Sequence, residues 1–95
     1  MSKHVKVKIT WVSEEMNGKK IVPVGKYSTA ARFRDFPVDE TWSVIVISES
    51  EIDASRTGIY DLCFLFGEDA PEHLLYSGHS FYLIEGRKVA EGVVI

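Results

Sequence analysis

The chain has one cysteine in 95 residues, so Cys63 has no internal disulfide partner and the fold cannot be a disulfide framework. No Cys-x-x-Cys or His-x-x-x-His spacing joins Cys63 to His4, His73 or His79, so the pattern of a zinc centre is missing. No apolar run approaches the roughly 20 residues that cross a bilayer. The opening residues, Met1 to Lys6, carry charge but no apolar segment of the signal-peptide kind. These absences lead us to expect a cytoplasmic protein that does not engage a membrane. The glycines are scattered singly and never form Gly-x-x-x-x-Gly-Lys-Ser/Thr, so no GTP site is expected. There is no Gly-x-Ser-x-Gly elbow. Ser80 follows His79 directly, and neighbours on a strand point to opposite faces. Cys63, between Leu62 and Phe64, reads as a buried, inert thiol. The expectation is a protein without catalysis, metal or cofactor.

What is present is a succession of short strand patterns. At 45% hydrophobic and 26% charged residues, the composition is that of one globular domain spanning residues 1–95. Val5, Val7, Ile9 and Trp11 alternate with Lys6, Lys8 and Thr10, the period of a strand with one wet face. Asn17-Gly18 reads as a turn because both residues tolerate positive φ. Pro23 confines residues 21–24 to a strand edge, end or bulge. Strands are expected at 30–36, 41–48, 59–66, 80–84 and 88–95, the last two joined by a Glu85-Gly86-Arg87 turn. Residues 49–58 and 67–71 read as loops, and residues 72–76 as a helical turn or a short strand. Six or seven strands at this spacing imply an antiparallel all-β barrel or sandwich.

Net charge is −3, but its distribution is uneven. Residues 1–34 hold eight basic residues against two acids, and residues 35–95 hold three against twelve. If the basic third formed one patch, Lys6, Lys8, Arg32 and Arg34 would face an anionic partner, with Phe33 or Phe36 available for stacking. The structural alternative is that the lysines discourage edge-to-edge pairing and that the strands interleave in space. Asp61 interrupts an apolar strand; it is either a functional acid or, more simply, a side chain facing water.

The segment Gly78-His79-Ser80-Phe81-Tyr82-Leu83-Ile84-Glu85-Gly86-Arg87-Lys88-Val89-Ala90-Glu91-Gly92-Val93-Val94 resembles the end of elongation factor Tu. That family closes its third domain with Phe-x-Ile-Arg-Glu-Gly-x-x-Thr-Val-Gly-x-Gly-Val-Val. Phe81, Leu83, Glu85, Gly86, Val89, Gly92, Val93 and Val94 fall on matching positions if one hairpin residue is deleted. A first strand at 5–12, the acidic-then-glycine loop at 14–18, and then Pro23, Lys26, Tyr27 and Phe33 follow the same domain more loosely. The resemblance implies a closed antiparallel Greek-key barrel of six to seven strands, like the C-terminal domain of these translation factors. It further implies contacts with RNA or with other proteins. The GTPase domain has no counterpart here. The family's Tyr-Arg-Pro-x-Phe segment is replaced by Tyr27-Ser28-Thr29-Ala30-Ala31, without its arginine and proline.

Two functions follow as expectations. The first is a binding module for a protein partner, with Trp42, Tyr60 or Tyr76 supplying apolar surface. The alternative is binding of tRNA or another RNA through Lys6, Lys8, Arg32 and Arg34, together with Glu85, Gly86 and Arg87 of the hairpin. The oligomeric state is left open.

Overall fold

The computed structural model describes residues 4–16, 18, 25–34, 41–48, 56–65 and 72–95. Six strands form among them: β1 (Val5–Trp11), β2 (Lys26–Phe33), β3 (Trp42–Ser48), β4 (Thr57–Phe64), β5 (Ser80–Ile84) and β6 (Lys88–Val94). Short 3-10 turns lie at Glu14–Met16 and Glu72–Leu74. All neighbouring strands are antiparallel, in the closed order β1-β4-β3-β2-β5-β6, with β6 returning to β1. Strands β2, β3 and β4 form a meander flanked by β1 on one side and β5 on the other, which is Greek-key connectivity. The strand number is six, and the fold is an all-β barrel rather than a sandwich.

The alternation read from the sequence decides which side chains go inside. Val7, Ile9 and Trp11 of β1 are buried, while Lys6, Lys8 and Thr10 face out. Around the interior they meet Phe33, Val44, Val46, Leu62, Phe64, Phe81 and Leu83. Leu74, at the end of the second 3-10 turn, and Leu75 just after it join the same core. Because the sheet closes on itself, no strand is left with an unpaired edge.

The closing seam depends on Gly92. It stands opposite Ile9 on one side and Phe81 on the other. A Cβ at this position would lie 2.3 Å from the Phe81 ring. The glycine is therefore the space into which that ring packs, the close strand packing expected of it. The irregularity of this hairpin lies elsewhere, where the register shifts between Leu83 and Ile84. There Val89 and Ala90 are consecutive and both buried, as a bulge allows.

Several local expectations need correction. Strand β2 begins at Lys26 rather than residue 30, because Lys26 to Thr29 pair with Ile47 to Val44 of β3. Cross-strand pairing extends the strand through a polar stretch that has no apolar run of its own. Strand β4 begins at Thr57, inside the expected loop. Residues 72–74 resolve the earlier ambiguity as a 3-10 turn. Gly18 does not take a positive φ; a Cβ there would fall 1.9 Å from the Val12 carbonyl oxygen, so close backbone approach is what requires glycine. The expectations for residues 21–24, for Asn17, Phe36 and Pro37, and for the loops at 49–55 and 67–71 lie outside the described residues.

Replacing Gly92 by Ala drives a methyl group into the Phe81 ring. We expect a stability loss of about 1–3 kcal/mol, the usual cost of overpacking a filled core. Phe81→Leu combined with Gly92→Ala is expected to lose less than the sum of the two single changes. Urea unfolding midpoints of the four proteins in the cycle test this.

Candidate functional site

Strand order decides which of the sequence-predicted residues can act together. In the six-stranded ring, β1 and β2 are three steps apart in either direction. The outward side chains of β1 (Lys6, Lys8) and of β2 (Arg32) therefore point to opposite sides of the barrel. Among the described residues, Lys6 and Lys8 do not form one patch with Arg32. Lys6 is moreover engaged across the strands by Asp61, with its Nζ 2.8 Å from Oδ1. This places Asp61 in a half-exposed surface pair, worth at most about 1 kcal/mol. Arg34 is exposed just beyond β2. Phe33 lies in the core between Phe64 and Phe81 and offers no stacking face to a ligand.

The hairpin residues are likewise separated by role. Glu85 accepts a hydrogen bond from the Tyr27 hydroxyl, tying the β5–β6 turn to the start of β2. Gly86 occupies the turn with a φ of 74°, and Arg87 beside it is exposed. The Tyr27 ring meets Trp11 edge-on at 5.9 Å. Trp11 in turn donates its Nε1–H to the Tyr60 hydroxyl at 3.0 Å. Burial pushes the Tyr60 hydroxyl above its ordinary titration range, and the hydrogen bond from Trp11 offsets part of that rise. Glu85 thus belongs to a group of side chains that fastens the interior to the hairpin.

Two outer faces remain. On β3 and β4, Ile45, Ile47, Ile59 and Leu65 are apolar where an outward strand position is ordinarily polar. Ile59 is 51% exposed and Leu65 41%, while Ile45 and Ile47 are half-buried. Ile45 stands opposite Cys63, which is buried, and Ile47 stands opposite Asp61 and diagonal to Ile59. Lys26 and the Lys6–Asp61 pair edge this apolar area.

The second face, on β5, β6 and β1, is polar and aromatic, and it meets the first where Lys8 stands opposite Ile59. A cross-strand row runs Arg32–Tyr82–Glu91–Thr10, with Lys8 one position along from Thr10 on the same face. Tyr82 is 42% exposed. Lys88 places its Nζ 4.8 Å from the Tyr82 ring centroid and 2.9 Å from Glu91 Oε1. A shallow groove of about 450 Å³ opens beside the ring, lined by Lys8, Thr10, Ser80, Tyr82, Glu91 and Val93.

Of the aromatics considered for partner contacts, Tyr60 is buried, Trp42 is half-buried against Phe64, and Tyr76 is exposed. His79 is buried, stacked on the Phe33 ring at 6.1 Å, and Ser80 faces the other way, as strand geometry requires. Among the described residues, no three His, Cys, Asp or Glu side chains are grouped to hold a metal ion.

Sequence reasoning overlooked both Tyr82 and the pair Ile45 and Ile47. The signals were available: Tyr82 lies between two inward residues, Phe81 and Leu83, and residues 44–47 are apolar on both faces. No family model, no curated protein and no solved structure matches the chain.

The Tyr60 hydroxyl gives a pH prediction. In the unfolded chain a tyrosine ionises near pH 10, and in the fold Tyr60 does so only at higher pH. The stability that this group contributes is fully present below about pH 10 and is lost as pH rises through the folded-state value. Tyr60→Phe is expected to lessen that alkaline loss. At neutral pH it is expected to cost about 1–3 kcal/mol, because the Trp11 Nε1–H loses its buried acceptor. Urea midpoints of both proteins at about pH 8 and about pH 10.5 separate the two effects.

Proposed function

We propose that this chain is a non-catalytic binding module, similar to the third domain of elongation factor Tu, that takes a protein partner on the outer face of β3 and β4. The observation that carries the reading is the apolar area of Ile45, Ile47, Ile59 and Leu65. Apolar side chains on the wet face of a barrel add little to its own core, and a contiguous exposed group of them is the usual mark of a contact surface. Its edge of Lys26 and the Lys6–Asp61 pair has the composition of a polar rim. The six-stranded closed barrel is consistent with the resemblance but does not by itself give the partner.

The alternative, RNA held by a basic N-terminal face and the Glu85-Gly86 hairpin, fits the geometry less well. Lys6 and Arg32 project in opposite directions, Lys6 is paired with Asp61, and Glu85 is engaged by Tyr27.

The reading predicts that tagged protein retains a partner from a lysate after RNase treatment. Ile59→Lys and Ile47→Lys are both expected to reduce that capture by an order of magnitude or more, as loss of a central apolar contact does. Both side chains lie outside the core cluster, so circular dichroism and unfolding midpoints should remain close to those of the parent. Capture that survives both substitutions unchanged would move the contact surface away from β3 and β4.

A further inference from the structure

We infer that the groove on β5, β6 and β1 is a stacking site for unpaired nucleotides, with the Tyr82 ring as the platform and Lys8 as the phosphate contact beside it. This goes beyond the protein-binding reading and centres on β5, which stands three steps from β4 in the ring, so either can fail without the other. It shares Lys8 with the RNA reading above but rests on the Tyr82 ring and its groove rather than on Glu85 and Gly86 of the hairpin turn.

The alternation of β5 sets the platform. Phe81 and Leu83 are buried, which forces Tyr82 outward at the middle of the strand. An outward tyrosine can be covered by its cross-strand neighbours, but here the ring keeps 42% of its surface exposed and forms part of the groove lining. The Lys88 ammonium lies over the ring, 4.8 Å from its centroid, and is fixed there by Glu91. That cation–π contact holds the ring in place. The groove is shallow because the side chains beside Tyr82, Ser80 and Val93, are small. An open slot beside a held aromatic ring suits a planar group laid against it.

Charge selects what carries that planar group. Lys8 reaches the groove from β1, where its neighbours across the strands are the apolar Val93 and Ile59. Arg32 stands opposite Tyr82 from β2, and Arg87 is exposed at the nearby turn. Glu91 is the one acid in the row, and Lys88 neutralises it. Among the described residues at this groove, Lys8 and Lys88 outnumber the one acid, Glu91. An aromatic ring flanked by cations is the arrangement by which small β barrels hold single strands: bases stack on the ring, and phosphates follow the positive residues. A base stacks in this way only when it is not paired, so the site should discriminate against duplex.

The test is fluorescence anisotropy with a labelled oligouridylate of about ten nucleotides, within the range one small barrel covers. Measurements begin at about 50 mM salt, where phosphate contacts are strong. We expect the parent to bind the single strand and to bind a duplex of the same length at least roughly tenfold more weakly. Tyr82→Ala and Tyr82→Leu should each weaken binding by roughly five- to a hundredfold, the effect of losing one stacked base, and Tyr82→Phe should retain it. Tyr82→Leu keeps an apolar strand residue, so it guards against a folding defect in Tyr82→Ala. Lys8→Ala should reduce the dependence of log affinity on log salt by about 0.7. The inference is overturned if the parent does not bind at low salt, if Tyr82→Leu binds as the parent does, or if inorganic polyphosphate displaces the oligonucleotide equally well from parent and Tyr82→Leu.

Discussion

The pairing of β6 with β1 is the constraint on which the other features rest. Until those strands join, β1 and β6 each present an unpaired row of N–H and C=O groups, and the interior is open along one side. The joining residues lie at opposite ends of the chain, so the ring closes only after its most distant parts have met. Gly92 makes the meeting possible, because Phe81 needs the volume that any other side chain there would fill. Phe81 then touches Phe33 at a centroid distance of 5.5 Å, and Phe33 touches Phe64 at 5.6 Å. One missing side chain thus lets an aromatic chain run across the barrel from β5 to β4, tying the last hairpin to the meander.

Closure also organises the polar part of the interior. Trp11 and Tyr60 are large, and each carries a polar group that has to be satisfied where water is excluded. Trp11 donates to Tyr60, and Tyr27, edge-on to Trp11, carries its hydroxyl outward to Glu85 at the hairpin. Strands β1, β4, β2 and the β5–β6 turn are joined by this succession of contacts. The Glu85-Gly86 turn, one part of the resemblance, consequently has a structural explanation on its own terms. A glutamate that ends this succession serves the fold whether or not any ligand touches it.

How much of this could be read from the sequence depends on whether the determining interaction was local. Strand β1 and the β5–β6 hairpin were legible because alternation and turn residues lie within a few positions of one another. The start of β2 was not, because Lys26-Tyr27-Ser28-Thr29 becomes a strand only by pairing with β3. The inward placement of Phe33 follows from the same pairing. The basic N-terminal third was correctly seen as a charge imbalance, yet its meaning was set by strand order, a non-local property. Lys8 and Arg32 are separated by half the ring, and no count along the chain could show it. Tyr82 and the Ile45 and Ile47 pair could have been found, since alternation assigns each of them to the outside once their neighbours are assigned to the core.

The two outer faces differ for a reason that lies in the topology. The meander β2-β3-β4 takes its strands from the middle of the chain, and β5, β6 and β1 come from its ends. Outward positions of β3 and β4 include Ile45, Ile47 and Ile59 beside Ser43, Thr57 and Asp61, with Leu65 just past β4, whereas those of β1, β5 and β6 include lysines, a tyrosine and a glutamate beside Ile84 and Val93. A barrel needs one inward set of apolar residues and places no demand of its own on the outward set. The apolar outside of β3–β4 and the cationic, aromatic outside of β5–β6–β1 are therefore not consequences of folding. They are choices that the fold tolerates, and the two surfaces meet where Lys8 of β1 stands opposite Ile59 of β4.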